Sequence, residues 1–375
     1  MSVQSIYTAE HVACGHPDKF ADQLADRILD EVLFKCGQDQ AMRSVVRTAI
    51  ECIAKDNVIF VSGESKWPDS HPGVDVEALV KEVWQHVEYE LDTDMLQVLD
   101  YIQPQSAEIA TGSGHGVDAG GAGDQGIMVG YATDETPEMM PREWVAARDI
   151  CLKLHTLRTT REIPWLGSDC KSQVTQDAEG RILKIIIAAQ HKKKISGAQV
   201  REAILSKVVL PLFGDRISPR DVKINGTGIF VTGGPASDAG VVGRKIVVDA
   251  YGPRVAVGGG CYSGKDPTKV DRSAAYMARH IAKAAVVNQV KGARSCIVSI
   301  AYGIGQHQPE MLTATTNKGE DVSSWVREKF PDLSPHFIIE HLSLRNPKGW
   351  SYFETASYGH FGRSQFPWEN VDSSL

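Results

Sequence analysis

The sequence contains no CxxC pair: its seven cysteines, at 14, 36, 52, 151, 170, 261 and 296, stand singly along 375 residues. That argues against a zinc ribbon or a disulfide framework and points to a reduced, cytoplasmic protein. No apolar run reaches the length of a membrane span. The opening MSVQSIYTAE has neither the basic nor the apolar stretch of a secretory signal. Positive charge is in short supply, with 40 Lys and Arg against 47 Asp and Glu for a formal net charge of −7. Such a chain is a poor partner for nucleic acid through general electrostatics, so any phosphate it holds must meet local cations. HExxH, GxSxG and the kinase signature set are also missing, which removes three common catalytic designs.

Glycine is what the chain does have, 34 residues of it. The size suits two or three domains. Residues 18–35 put Phe20, Leu24, Ile28 and Val32 at four-residue steps, the pattern of an amphipathic helix, and Pro17 suits its first turn. VVRTAIECIA and VIFVSGE, joined by KDN, read as a hairpin; KSQVTQDAEGRILKIIIAAQH reads as a second, with a helix at about 197–210. A third set combines the strand-like KIVVDAY, a helix from about Asp271 and the strand SCIVSIAYGIG. Hairpin-plus-helix therefore recurs, and the expected fold is α+β with sheets covered on one face by helices. Residues 103–126 carry almost no large apolar side chain and read as an active-site loop or a linker.

Four short stretches carry chemistry. GGGCYSGKD, residues 258–266, nearly spells a phosphate loop, with Gly259, Gly264 and Lys265 in place. Asp266 stands where Ser or Thr belongs and Pro267 follows, so the Walker A reading fails. Lys265, Lys269 and Asp271, with Arg244 and Lys245 some twenty residues earlier, suit a polyphosphate–Mg²⁺ complex in which cations meet oxygens and carboxylates meet metal. A solvated charged loop is the alternative. GAGDQG, 121–126, matches GxGxxG but runs into a strand rather than a helix, so a dinucleotide cradle is excluded. Asp124 there either faces a cationic substrate group or caps its own turn. GHPDK, 15–19, opens the first helix, where free N–H groups favour anions; His16 can donate to a leaving oxygen, Asp18 can ligate metal and Lys19 can pair with phosphate or carboxylate. SDCKSQ, 168–173, sets Asp169 and Lys171 just ahead of a strand, a weak signal. Trp84, Trp144 and Trp325 sit in helix-like stretches and read as core.

Taken in order, these stretches resemble the S-adenosylmethionine synthetase family, which carries GHPDK, GAGDQG and GGGAFSGKDPTKVDRS. Here the third reads GGGCYSGKDPTKVDRS, and GGPASDAGVVGRKIVVDAYG, PWLGSDCKSQVT and YGHFGRSQFPWE match as well. The resemblance implies three similar α+β domains with pseudo-threefold symmetry: 1–102, a flexible loop at 103–120, then 121–236 and 237–375. It implies a homodimer or homotetramer with sites at the interface, using ATP, L-methionine, two Mg²⁺ per site and K⁺, with no nucleic acid or membrane partner. The methionine sulfur would attack ribose C5′ and expel tripolyphosphate, which is then hydrolysed.

By matching position, the resemblance implies that Lys265, Arg244 and Lys245 clamp the triphosphate, Asp18 and Asp271 ligate Mg²⁺, and His16 lies where O5′ departs. The aspartates that spoil the Walker A pattern then become metal ligands. Glu51 resembles the K⁺-site glutamate. Glu64 and Gln105 match methionine contacts, Asp238 and Lys269 contact substrate, and Asp124 from a partner subunit helps hold methionine. Asp169 and Lys171 align with ATP contacts, and Phe230 with the aromatic beside adenine. Three positions depart from the family. Cys14 replaces a glutamate, Cys261 replaces an alanine beside the nucleotide, and Ile229 replaces an arginine, a loss of roughly 1.5–3 kcal/mol if a charge-assisted hydrogen bond goes with it.

Overall fold

A computed structural model describes residues 5–37, 39–67, 70–104 and 120–374. The expected periodicities become elements where the side chains have a face to bury. The first helix runs Pro17–Lys35, with His16 as its N-cap and its apolar stripe at zero exposure from Phe20 to Val32. The first hairpin is β2 (Arg47–Lys55) and β3 (Val58–Lys66), turning at Asp56, which takes a positive φ. The second is β6 (Leu166–Asp177) and β7 (Ile182–His191). Inward and outward positions alternate along β2 as the pleat requires.

The remaining strands are β1 (Ile6–Val12), β4 (Gln97–Pro104), β5 (Gly126–Thr133), β8 (Val222–Ile224), β9 (Gly240–Val241), β10 (Ser295–Tyr302) and β11 (Met311–Thr316). They form three sheets, ordered β1-β6-β7-β8, β11-β10-β5 and β4-β3-β2-β9. Each sheet has helix on one face. Pro17–Lys35 covers β2 with Val76–Val87 beside it, Arg142–Thr159 covers β1 and β6, and Val270–Val287 covers β5 and β10. Three apolar clusters follow the three sheets. The architecture is α+β, one sheet-and-helix layer repeated three times.

The sheets are not three consecutive stretches of chain. β1 crosses to pair with β6, β5 pairs with β10, and β9 pairs with β2. These crossings position the chemistry, because each motif lies beside a crossing strand.

Several expectations change. KIVVDAY is not a strand: Ile246–Asp249 is a helical turn, because the buried Asp249 carboxylate must reach Lys19, and that contact overrides β propensity. The partners of β10 are instead β5 and β11. The helix from Gly197 leaves α geometry after Ile204 through a π turn, Leu205–Val209. Asp169 and Lys171 lie inside β6 rather than ahead of it, next to an irregular register between Leu166 and Cys170. Trp84 and Trp144 are core, and Trp325 packs half-buried against it. Gln105 and most of the 103–120 loop lie outside the described residues. All seven cysteines are free thiols. No helix among the described residues is long and apolar enough to cross a membrane.

Candidate active site

His16 and Asp169 come together because β1 pairs with β6. Val12 lies opposite Lys171, and the Ala13 N–H donates to Cys170 O at 3.0 Å, delivering the next residues to the helix start. The His16 Nδ1 accepts from the Asp18 N–H at 3.1 Å, which leaves the proton on Nε2. Burial first, then the charge of Lys245, lowers the His16 pKa to about 3. The ring is therefore a neutral donor at pH 7, and the Asp18 carboxylate 4.0 Å away does not pair with a cation there.

Asp18 answers to β9. Its Oδ1 accepts from the Val241 N–H at 2.9 Å, its Oδ2 from Lys245 Nζ at 2.5 Å, and Arg244 Nη1 stands 3.6 Å off. Burial opposes ionisation, but Lys245 and the Val241 N–H outweigh it and hold the carboxyl below its ordinary value. Asp169 behaves the other way: burial raises its pKa to about 7, against a single 2.9 Å bond from the Gly234 N–H.

His16, Asp169, Lys171, Phe230 and Asp238 line one pocket of about 490 Å³, with Ile229 at the same wall. Asp238 Oδ1 accepts from the Ala239 N–H at 2.8 Å, and Lys171 lies 3.7 Å from Glu10. The pocket also holds Lys223, Asn225 and Ser237, none of which the sequence singled out. Ser237 lies within the matching stretch GGPASDAG, while Lys223 and Asn225 had only nearness to Phe230.

The second patch grows from β2. The Ile50 N–H donates to Gly264 O at 2.9 Å, and Lys265 bridges Ala49, which lies opposite Glu64 on β3. Residues in register share a face, so Lys265, Ala49 and Glu64 form a row, with Glu51 two residues along. Gly264 is required there. Its φ is +82°, and a Cβ would lie 2.1 Å from Ile50 O.

Lys265 pairs with Asp271. Burial opposes its charge, but Cys261 and Asp271 raise its pKa. Burial raises the Glu51 pKa, partly offset by Lys265. Gly260 keeps the flank of Asp271 open, since a Cβ would fall 2.1 Å from its carboxyl carbon. Asp124 is exposed, accepts from the Gln125 N–H at 2.8 Å, and lies close enough to Lys265 to raise its pKa. Cys261 is half-buried, with a pKa raised to about 11 by burial. It abuts Gly243, the residue before Arg244, and so joins the two patches.

Two residues read as ligand-facing, Lys19 and Asp266, are committed elsewhere. Lys19 is 1% exposed and pairs with Asp22 and Asp249, so it is not available to phosphate. Asp266 is not a metal ligand: at 1% exposure it accepts from the Thr48 N–H, the Thr268 N–H and Lys269 Nζ at 2.7, 2.9 and 2.5 Å, fastening the loop to β2. Lys269 is the other end of that ion pair.

Family models of the S-adenosylmethionine synthetase N-terminal, central and C-terminal domains match residues 4–107, 119–230 and 232–370. The chain is 40% identical to the S-adenosylmethionine synthase of Desulforudis audaxviator over 98% of its length and 96% of that protein. It is 39% identical to the synthase of Sorangium cellulosum over 98% of this chain and 87% of that one. With the synthase of Deinococcus deserti the identity is 38% over 99% and 97%. With all three domain models matched in order and relatives aligned nearly end to end, the chain belongs to the S-adenosylmethionine synthetase family.

Proposed function

We propose that this protein makes S-adenosylmethionine from L-methionine and ATP. The methionine sulfur lone pair forms the bond to ribose C5′ as the C5′–O5′ bond breaks, and tripolyphosphate leaves whole before it is hydrolysed to pyrophosphate and phosphate. The observation that carries this reading is the pair of lysine–carboxylate contacts, Lys245 with Asp18 and Lys265 with Asp271, on patches joined through Gly243 and Cys261. Each pair is only partly shielded, and each can trade its internal partner for a phosphate oxygen. His16, neutral with its proton on Nε2, donates a hydrogen bond to O5′ as charge grows there. Lys245, Arg244 and Lys265 hold the departing oxygens. Phe230 offers a face to adenine, with Asp169, Lys171 and Cys261 around the nucleotide. Glu64, Gln105, Asp124, Asp238 and Lys269 are assigned to methionine.

No group of three or more His, Cys, Asp or Glu among the described residues could hold a metal by itself. Asp18 and Asp271 nevertheless offer hard oxygens beside cations, which suits Mg²⁺ sharing its shell with phosphate. When bound, two Mg²⁺ would neutralise triphosphate charge; Glu51 is assigned to K⁺.

The reading divides the chain at 1–102, 103–120, 121–236 and 237–375. It also pairs two chains, each completing the other's site, into a homodimer or homotetramer. In support, the face of β2-β3-β4 that carries Lys265 and Glu64 leaves Ile53, Leu99 and Tyr101 at 43, 44 and 58% exposure. An apolar sheet face beside a row of charges suits a subunit interface.

The test is turnover with methionine, ATP, Mg²⁺ and K⁺, following S-adenosylmethionine by mass spectrometry while both phosphate products are quantified. Equimolar S-adenosylmethionine, pyrophosphate and phosphate is the expected result. Phosphate release that methionine leaves unchanged, with no S-adenosylmethionine, would replace this reading with a tripolyphosphatase.

A further inference from the structure

Behind the His16 pocket lies a second and larger cavity, of about 590 Å³, between the end of helix 76–87, the loop after helix 142–159 and residues 232–236. None of the assigned substrate residues lines it. Its volume suits a small molecule. Leu91, Met95, Leu166 and Val231 give it an apolar wall, and the Tyr89 ring, tilted 60° to the buried Trp84, stands at its edge.

Its charges are unevenly matched. Glu88 serves both Arg158 at 2.9 Å and Arg161 at 3.2 Å, and Asp56 is held by Lys55 at 2.9 Å. Among the described residues, Lys192 stands exposed without a side-chain partner, and the buried Arg158 Nη2 has no hydrogen-bond acceptor. Against them is one unpaired carboxylate, Glu90. A site so balanced accepts one negative charge and repels several.

Gln190 stands between this cavity and Asp169 of the His16 pocket. It lines the cavity, accepts from the Asp169 N–H at 3.2 Å and donates to Val231 O at 3.1 Å. The Tyr89 hydroxyl donates to Gly15 O at 2.9 Å, the residue before His16.

We propose that this cavity is an effector site for a small amphiphilic monoanion, coupled to the His16 pocket through the Tyr89–Gly15 hydrogen bond. The coupling rests on the reading of the His16 pocket as the nucleotide site; the binding does not. A ligand packed against Tyr89 shifts the phenol, and with it the carbonyl that leads into the catalytic helix start. Linkage makes the effect mutual: nucleotide in one pocket must change affinity in the other.

The probe is 8-anilinonaphthalene-1-sulfonate, followed by fluorescence, with the uncharged N-phenyl-1-naphthylamine as its neutral counterpart. One saturable site per chain is expected, binding the sulfonate about tenfold tighter than the neutral ring system. Lys192→Glu should erase that preference, and Leu91→Trp should crowd the cavity and weaken binding of both probes. A nonhydrolysable ATP analogue with Mg²⁺ should shift the sulfonate affinity at least about fivefold in the native chain. Tyr89→Phe, which keeps the ring and drops the hydrogen bond, should bind the probe normally and lose the shift. Unchanged binding in Leu91→Trp, or equal affinity for both probes, overturns the site. Bound analogue with no shift, or an intact shift in Tyr89→Phe, overturns the coupling. An analogue that calorimetry shows not to bind overturns the nucleotide reading and the coupling with it, while the probe arms still decide the cavity.

Discussion

Two charged regions run side by side along the first helix, built from the same residue types to opposite ends. In one, Arg272 and Asp26 are fully buried and bound at 2.6 and 2.8 Å through both terminal guanidinium nitrogens, with Lys265 O, the Thr355 hydroxyl and the Tyr276 hydroxyl completing the shell. Lys19, Asp22 and Asp249 form a similar knot. In the other, Arg244 is 55% exposed and 3.6 Å from its nearest carboxylate, and Lys171 is 44% exposed and 3.7 Å from its own. A buried charge with every bond made has nothing left for a ligand, and removing its partner is costly. A charge held loosely at a pocket wall can change partners at little cost. Availability, rather than residue type, separates scaffold from site.

The strongest test of that division is Arg272→Ala. It strands the Asp26 carboxylate in the core, and urea unfolding should show a loss of about 3–5 kcal/mol. A loss below 1 kcal/mol would remove the distinction. Lys265→Met should do the reverse. A clamp residue on the β2 patch should cost roughly 10²–10³-fold in kcat, while the melting temperature stays within a few degrees. A variant that unfolds before it loses activity would move Lys265 into the scaffold.

Asp169 lies on the border between the regions and offers a pH test. Its carboxyl, raised to about 7 by burial, holds its proton more tightly folded than unfolded. The stabilisation is therefore complete below about pH 4 and fades as pH climbs through 7. Asp169→Asn cannot titrate, so its stability should vary less across that window, by about 4 kcal/mol. Parallel curves for the two proteins would show that Asp169 does not titrate there. The smallest effect is expected at Ile229, which is 68% exposed at the His16 pocket. Ile229→Arg has room for its side chain and should lower the apparent KM for ATP about tenfold; an unchanged KM would mean another group already meets that need.

Helices and hairpins were legible because their apolar periods are local. The 18–35 stripe and the alternation along β2 predict their own burial, and they lie where expected. KIVVDAY misled because its shape is set by a partner far away in sequence: Asp249 must meet Lys19, 230 residues distant. Asp266 misled in the same way. Its letter suggested a metal, but Thr48 on β2 claims it from 218 residues away. The motif residues themselves were legible as chemistry; Lys223, on the short strand β8, and Asn225 were not, since an isolated polar residue carries no pattern.

The sequence by itself determined the family, the α+β class and the residue types able to handle a triphosphate, because all of these reside in composition, period and contiguous motifs. Only the tertiary structure decided which charges are free. β1 crosses to β6, β9 to β2 and the Gly264 loop onto Ile50, so the same aspartate or lysine is sealed in the core or left at a pocket wall. Burial and hydrogen-bond saturation are properties of neighbours brought from hundreds of residues away, and no local stretch of sequence contains them.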